Sequence, residues 1–353
     1  MSPFIIPLFI PHQGCPHTCS FCNQRTLTGI TCPMSVAEGE RIIDEQLSWK
    51  RKTVEQAVEI AFYGGSFTGL PGEQQEKFLA LAARYVTTGK VQGVRLSTRP
   101  DYLNDAVIER LRRYGVNTVE IGVQSLDATV LQLAQRGHAA EAAQEARLRL
   151  RASSIRCGFQ LLLGLPGEDW KSWLKTVQET CRIRPDFIRI YPTIVLAGTE
   201  LEKLYSKGEY RPLLLHEAVE RAAYAKAIFQ REGIPVIRIG LQDSSELRQV
   251  GRIVAGPFHA AFGEMVESHL FQQVLSDLCG QHERQFGLIR CLELGHHAKD
   301  VSQIRGNKNN NIQCLQKRYN IGKIIMYETK TPKGQLLAKI DDWRYVINKK
   351  NIK

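Results

Sequence analysis

The sequence predicts an α/β protein, a partial (β/α)6 parallel barrel over residues 1–255 followed by a smaller α+β C-terminal domain at 256–353. Three observations predict it. Up to about residue 195, six short β-rich runs alternate with helix-like stretches, the pattern of repeated βαβ units and hence of a parallel sheet. The chemistry-bearing Cys, Gly-Gly and Gln-Ser signals fall just after strand-like runs, where barrels carry their sites. Beyond residue 260 the alternation stops and positive charge accumulates.

Each element follows from its local pattern. FIIPLFI is an apolar strand, and after a cysteine-rich loop AEGERIIDEQLSWKR has helical periodicity. AVEIAFYGG is the second strand, feeding the helix GEQQEKFLALAARYV. VRLSTRPDYL precedes NDAVIERLRRYG, and TVEIGVQS precedes LDATVLQLAQRG. IRCGFQLLLGLPGE, the helix WKSWLKTVQETCR and the strand DFIRIYP complete the repeats. LLLHEAVERAAYAKAIFQREG and PVIRIGL then extend the same unit by a helix and a strand. GPFHAAFGEMVESHLFQQVLSDL reads as a helix opening the second domain, whose strands are FGLIRCLEL, IGKIIMYET and GQLLAKI. The polar GNKNNN at 306–311 reads as a loop.

Composition narrows the class. An apolar content of 43% is ordinary for a globular protein, and the opening apolar run is broken by Pro7 and too short to span a bilayer. With no basic leader region before it, a cytoplasmic protein without membrane association is expected. The nine cysteines, an odd number, argue for metal binding or free thiols rather than a disulfide framework. Residues 301–353 hold twelve Lys/Arg against three Asp/Glu, a net of +9 out of +11 for the whole chain. Such asymmetry fits a polyanion, and equally a solvated terminus.

HQGCPHTCSFCNQ places Cys15, Cys19 and Cys22 as C-x3-C-x2-C, with no fourth ligand in a tidy pattern nearby, His12 and His17 notwithstanding. Structural zinc closes with four protein ligands, and an iron–sulfur cube also takes four. Three thiols therefore leave one coordination position for something other than protein. The remaining cysteines read differently. Cys32, Cys157 and Cys181 are expected as buried free thiols, whereas Cys279, Cys291 and Cys314 with His296 and His297 are weighed as an auxiliary metal site.

C-x3-C-x2-C after the first strand of such a chain resembles the radical S-adenosylmethionine (SAM) superfamily. The resemblance implies that a [4Fe-4S] cluster on Cys15, Cys19 and Cys22 binds SAM at its open iron and cleaves it to a 5′-deoxyadenosyl radical that abstracts hydrogen from a substrate. It also implies a low-potential electron donor such as flavodoxin or ferredoxin. YGGSFTG, STRPDYL, VEIGVQSLD, LQLAQRGH and LLLGLPGE follow in the order of the branch containing the Elongator catalytic subunit and the oxygen-independent coproporphyrinogen oxidases. By that resemblance Gly64, Gly65 and Ser66 meet the SAM amino group. Ser97, Gln124, Arg136 and Gln160 fall at SAM-contacting positions, and Phe21 packs beside the adenine. Ser97 stands where the porphyrin enzymes have Glu, Gln160 where they have Asp, and Asn23-Gln24 where they continue to a fourth cysteine.

The motifs lean to the Elongator-like branch, without its acetyltransferase domain, and so to a tRNA nucleoside held through the basic C-terminal domain. Two alternatives stay open: a radical SAM enzyme acting on a small metabolite, as the coproporphyrinogen oxidases do, and a metal-stabilised nucleic-acid-binding protein without catalysis.

Overall fold

The computed structural model describes residues 3–10, 15, 19–23, 34–49, 56–245 and 247–349. His12, His17 and Cys32 lie outside the described residues. By backbone contacts the chain divides into two units, Met1–Leu213 with Gln242–Pro257, and Leu214–Leu241 with Phe258–Lys353.

The first unit is built on β1 (Phe4–Ile10), β2 (Val58–Gly64), β3 (Gly93–Thr98), β4 (Val116–Gln124), β5 (Arg156–Leu163) and β6 (Phe187–Pro192). Neighbours pair in parallel and in chain order, as Phe4↔Val58, Ile60↔Val94, Leu96↔Val119, Ile121↔Phe159 and Phe159↔Ile188 show. An order that never reverses is the connectivity of a (β/α) barrel, and differs from a doubly wound sheet, which has a switch point. The crossovers are α1 (Val36–Trp49), α2 (Gly72–Thr87), α3 (Asp105–Arg113), α4 (Ala128–Leu133), α5 (Glu141–Ala152) and α6 (Trp170–Ile183).

Strand alternation sorts the two faces. Ile6, Ile60, Leu96, Ile121, Phe159 and Ile190, each fully buried, represent the apolar face. Phe62 of that face meets Phe78 of α2 edge-on at 5.9 Å, and Trp173 of α6 is fully buried. Each such large side chain contributes about 1.5–3 kcal/mol through burial. Helix starts are fixed locally: the Asn104 side chain accepts from Val107 N at 2.9 Å, and Asp169 and Ser172 form a capping box.

A short α7 (Glu200–Ser206) follows β7 (Val195–Leu196), which pairs antiparallel with β9 (Ile253–Ala255) in a two-stranded ribbon that the sequence reading lacks. These strands of two and three residues are too short to show any periodicity.

In the second unit, α8 (Leu215–Arg231), β8 (Val236–Ile239) and α9 (Phe262–Phe286) are joined by a four-stranded sheet. Its strands are β10 (Cys291–His296), β11 (Lys323–Glu328), β12 (Gln335–Ile340) and β13 (Trp343–Asn348), in the order β11-β10-β12-β13. Phe271 and Leu275 of α9 pack with Leu292, Leu294, Ala338 and Ile340 in one core. Lys226 of α8 pairs with Glu267 of α9, which also accepts from Lys349 Nζ at 2.8 Å.

Two expectations are corrected here. α9 begins at Phe262, and GPFHAA before it is not helical. GNKNNN is only partly a loop: Lys308 and Asn309 take positive φ, but Asn310 starts α11 (Asn310–Arg318), after the short α10 (Val301–Arg305). Asn311 is buried, its Nδ2 donating to Ser268 O and Gln303 O at 3.1 and 3.2 Å, so tertiary partners override a polar, loop-like composition. The third strand-to-strand step, β12 to β13, turns on Asp341 at φ 48, whose carboxylate accepts from Cys291 N at 2.8 Å.

Candidate active site

The loops leaving the carboxyl ends of β1, β2 and β4 build the site. Cys22 N donates to Cys19 O at 3.0 Å, closing a tight turn. Ser20 N donates to Ala134 O at 3.1 Å and Leu201 N to Ser20 O at 2.7 Å, tying that turn to the end of α4 and the start of α7. Asn23 Nδ2 adds a bond to Ala197 O at 2.9 Å. Between the two cysteines, Phe21 packs against Val130, Ala134 and Leu165, and also against Val195 and Leu201.

The Gly-Gly-Ser turn lies beside the first cysteine. Gly64 has φ +107, and a Cβ there would stand 3.1 Å from the Ile10 carbonyl carbon, so only glycine fits without moving the chain. Gly65 N donates to Ile10 O at 2.8 Å, which fixes the turn against the end of β1. Ser66 is buried, its Oγ accepting from Arg99 N at 3.1 Å, and its backbone hydrogen-bonds the Cys15 sulfur. Cys15 is exposed as a residue, yet burial around its sulfur raises the thiol pKa. The Ser66 bond opposes that rise, as do the Arg99 and Arg136 charges, while Cys19 adds to it.

The end of β4 supplies the polar side chains. Gln124 takes φ 68, an uncommon conformation for a residue with a side chain, where the register to β5 skips from Gly122↔Gln160 to Gln124↔Leu161. A Cβ on Gly122 would stand 2.9 Å from Gln124 Nε2 and 3.5 Å from Arg136 Nη2, so the glycine makes room for both. Asp127 caps α4 by accepting from Thr129 N at 3.0 Å, and the helix is stopped by Gln135 at φ 55. That turn sends Arg136 back inward, where it is buried and donates to Cys19 Sγ at 3.1 Å and to Gly122 O. The neighbouring His138 has its pKa pushed down to about 4, by burial first and the Arg136 charge second.

The inner face of the sheet holds residues that the sequence reading missed. Glu120, fully buried on β4, accepts from Tyr63 OH at 2.9 Å, Arg95 Nη1 at 3.1 Å, Arg189 Nη2 at 2.9 Å and Gln160 Nε2 at 3.0 Å. Arg95 Nε donates in turn to Glu59 at 2.6 Å. Two carboxylates thus face two guanidiniums, and burial together with the Glu120 charge raises the Tyr63 hydroxyl pKa. For Arg95, burial works against the charge, but its anionic neighbours outweigh it and the pKa rises. The signal was available: single charged residues sit at alternate positions in GVRLST, VNTVEIGVQ and FIRIYP.

The expected site residues therefore fall into groups. Cys15 meets Ser66 next to the Gly64-Gly65 turn, and Cys19 meets Arg136 beside Gly122 and Gln124. Gln160 joins Glu120, and Ser97 Oγ donates to Phe62 O at 3.4 Å. Among the described residues no group of three or more His, Cys, Asp or Glu side chains is arranged to hold a metal. That covers the three loop cysteines as they stand and the weighed auxiliary set, in which Cys279 is buried, Cys291 half-buried and Cys314 exposed. Cys157 is buried as expected, and Cys181 is only partly so.

The sequence matches the family model for the radical SAM superfamily over residues 9–180, and the model for a radical SAM C-terminal domain over 185–272. The chain belongs to the radical SAM superfamily. Among its relatives is a tRNA uridine(34) acetyltransferase of Methanocaldococcus jannaschii, 31% identical over 204 residues, which are 57% of this chain and 35% of that protein. An uncharacterized protein of the same organism is 31% identical over 220 residues, 60% of this chain and 67% of that one. The solved structure of Methanocaldococcus infernus Elp3 with an N-terminal deletion shares the fold, with a TM-score of 0.59 at 24% identity, covering 76% of this chain and 63% of that chain. The chain spans only 35% and 40% of the length of two archaeal acetyltransferase relatives.

This radical SAM enzyme is thereby expected to use a [4Fe-4S] cluster and SAM, and its residues fit them. Three thiols lie in one short loop, Gly64 holds its turn close against the Ile10 backbone just before that loop, and the buried Gln124 Oε1 has no hydrogen-bond partner among the described residues. No described helix is long and apolar enough to cross a membrane.

Proposed function

We propose that Cys15, Cys19 and Cys22 hold a [4Fe-4S] cluster whose open iron takes SAM, and that the substrate is a nucleoside of transfer RNA. The observation that carries the first part is the meeting of three loops, with Cys15 on the Ser66 backbone and Cys19 on the Arg136 guanidinium. When bound, the cluster and SAM supply one-electron cleavage that delivers a hydrogen-abstracting organic radical.

The chain's own residues bind and orient. Gly64, which lies against Ile10 for want of a Cβ, and Gly65, bonded to Ile10 O, set the turn whose backbone meets the SAM amino group, with Ser66 closing it. Arg136 offers a planar fork to the SAM carboxylate, a match that a lysine lacks. Gln124 presents its buried Oε1 as an acceptor, and Phe21 lends an apolar surface to the adenine. Ser97 and Gln160 fall at the remaining SAM-contacting positions, the second held by Glu120. A low-potential donor such as flavodoxin or ferredoxin supplies the electron.

The RNA part is supported by the relatives that share this portion of the chain, described as tRNA uridine(34) acetyltransferases, and by the net +9 of residues 301–353. The acetyl step of those relatives is not carried over.

The test is anaerobic. Protein reconstituted with iron and sulfide is given dithionite and SAM, and 5′-deoxyadenosine is measured by mass spectrometry against Cys22→Ala. Product from wild type alone supports the cofactor assignment; zinc in place of the cluster, with no product, overturns it. Deuterium transfer from labelled transfer RNA into 5′-deoxyadenosine then tests the substrate, and transfer only from small-metabolite extracts rejects RNA.

A further inference from the structure

The sheet of the second unit has one covered face and one open face. Leu292, Leu294, Leu336, Ala338 and Ile340 point into the core with α9, α10 and α11. The alternate residues form two straight rows across all four strands. Ladder pairing puts Tyr327, Gly295, Leu337 and Val346 side by side in one row, and Ile325, Glu293, Lys339 and Arg344 in the next. Tyr327, Leu337 and Val346 are 41%, 36% and 65% exposed, an apolar stripe on the outside of a water-facing sheet.

Two features show what the stripe suits. A Cβ on Gly295 would stand 3.0 Å from the Tyr327 ring, so that ring leans over the bare glycine and lies along the sheet as a platform. Cations border it: Lys339 and Arg344 are register partners in the adjoining row, and Lys323 ends the face on β11. The only acid in the two rows, Glu293, is already paired with Lys339 at 3.0 Å. Lys330 and Lys333, both exposed, lie in the loop between β11 and β12.

We propose that this open face holds a single-stranded segment of RNA, one base stacking on Tyr327, its neighbours lying over Leu337 and Val346, and phosphates running past Arg344 and Lys339. Stacking plus a cationic track is the sequence-tolerant way to hold a single strand, and four-stranded sheets serve as such platforms. The exposed cations on this face, Lys323 and Arg344, argue for this occupant over a second protein, which would cover the apolar stripe without needing them. The choice of partner rests on the reading that the substrate is RNA; the surface itself is independent of the SAM site.

The test uses the full chain, without SAM, and the fluorescence anisotropy of a labelled oligouridine. Tyr327→Ala is expected to weaken binding about 5- to 100-fold, from the usual value of one stacked base. Arg344→Glu is expected to lower the slope of log affinity against log salt by about 1. Both variants should melt with wild type and still form 5′-deoxyadenosine without RNA, which separates failure here from failure of the enzyme assignment. Wild-type affinity in both folded variants overturns the proposal, as does a wild type that does not bind the oligonucleotide at low salt. A concentration-dependent dimer abolished by Val346→Glu, with RNA binding unchanged, would assign the face to a second copy of the chain instead.

Discussion

Replacing Glu120 by alanine removes the single carboxylate that four donors from β2, β3, β5 and β6 share. The group is fully buried, so water cannot take over. Arg95 retains Glu59, but Arg189 loses its carboxylate partner inside the sheet. Breaking a buried ion pair from one side costs about 3–5 kcal/mol, because the remaining charge is left desolvated. For a unit of this size each kcal/mol shifts the melting temperature by roughly 2–4 °C, so a fall of about 6–20 °C is expected. Glu120→Gln keeps the shape and one acceptor, and should lose roughly half as much. The assay is thermal unfolding by circular dichroism of reduced protein without a cluster. In the Glu120→Ala/Arg189→Ala double variant the loss should be smaller than the sum of the single losses, as coupled sites require. Melting of Glu120→Ala within about 2 °C of wild type would refute the view that this carboxylate is the electrostatic centre of the inner face.

The other expectations concern the loops above it. Gly64→Ala, forced into positive φ against the Ile10 backbone, should cost about 1–3 kcal/mol and weaken SAM binding at least about tenfold by calorimetry; unchanged binding would remove the turn from the site. Cys19→Ala should leave the fold intact and abolish iron and sulfide incorporation, and retention of a full cluster would sink the ligand assignment. Arg136→Lys keeps the charge but loses the fork, so SAM affinity should drop about tenfold while the melting temperature moves little. His138 titrates below its unfolded value of about 6.5, so between there and about pH 4 only the unfolded chain binds the proton. Its contribution is complete above that window and fades as pH falls through it, by up to about 3 kcal/mol. The melting temperature of the cluster-free protein should therefore fall from about pH 7 to about pH 4.5, less steeply in His138→Gln, and equal slopes would reject the assignment.

Much of this was legible in the linear chain. The barrel connectivity follows from alternation alone, because a strand buried on one face and a helix packed over it impose different periods that survive in FIIPLFI, AVEIAFYGG and WKSWLKTVQETCR. The cysteine spacing, the Gly-Gly turn and the Gln-Ser step are short-range features, each set within a few residues, so they too can be read directly. What failed locally was what depends on partners far along the chain. The two-stranded ribbon of β7 and β9 has no periodicity of its own, and the helix at Asn310 exists because Asn311 finds Ser268 and Gln303.

The sequence by itself determined which elements form, their order, and which loops carry chemistry, since propensity and hydrophobic period act between near neighbours. Only the tertiary structure decided that Arg136 returns to Cys19, that Ser66 reaches Cys15, and that Glu120 gathers Tyr63, Arg95, Gln160 and Arg189. Those pairings join residues up to 117 positions apart, and at such separations it is strand register and a left-handed turn, neither encoded in composition, that bring charge to charge.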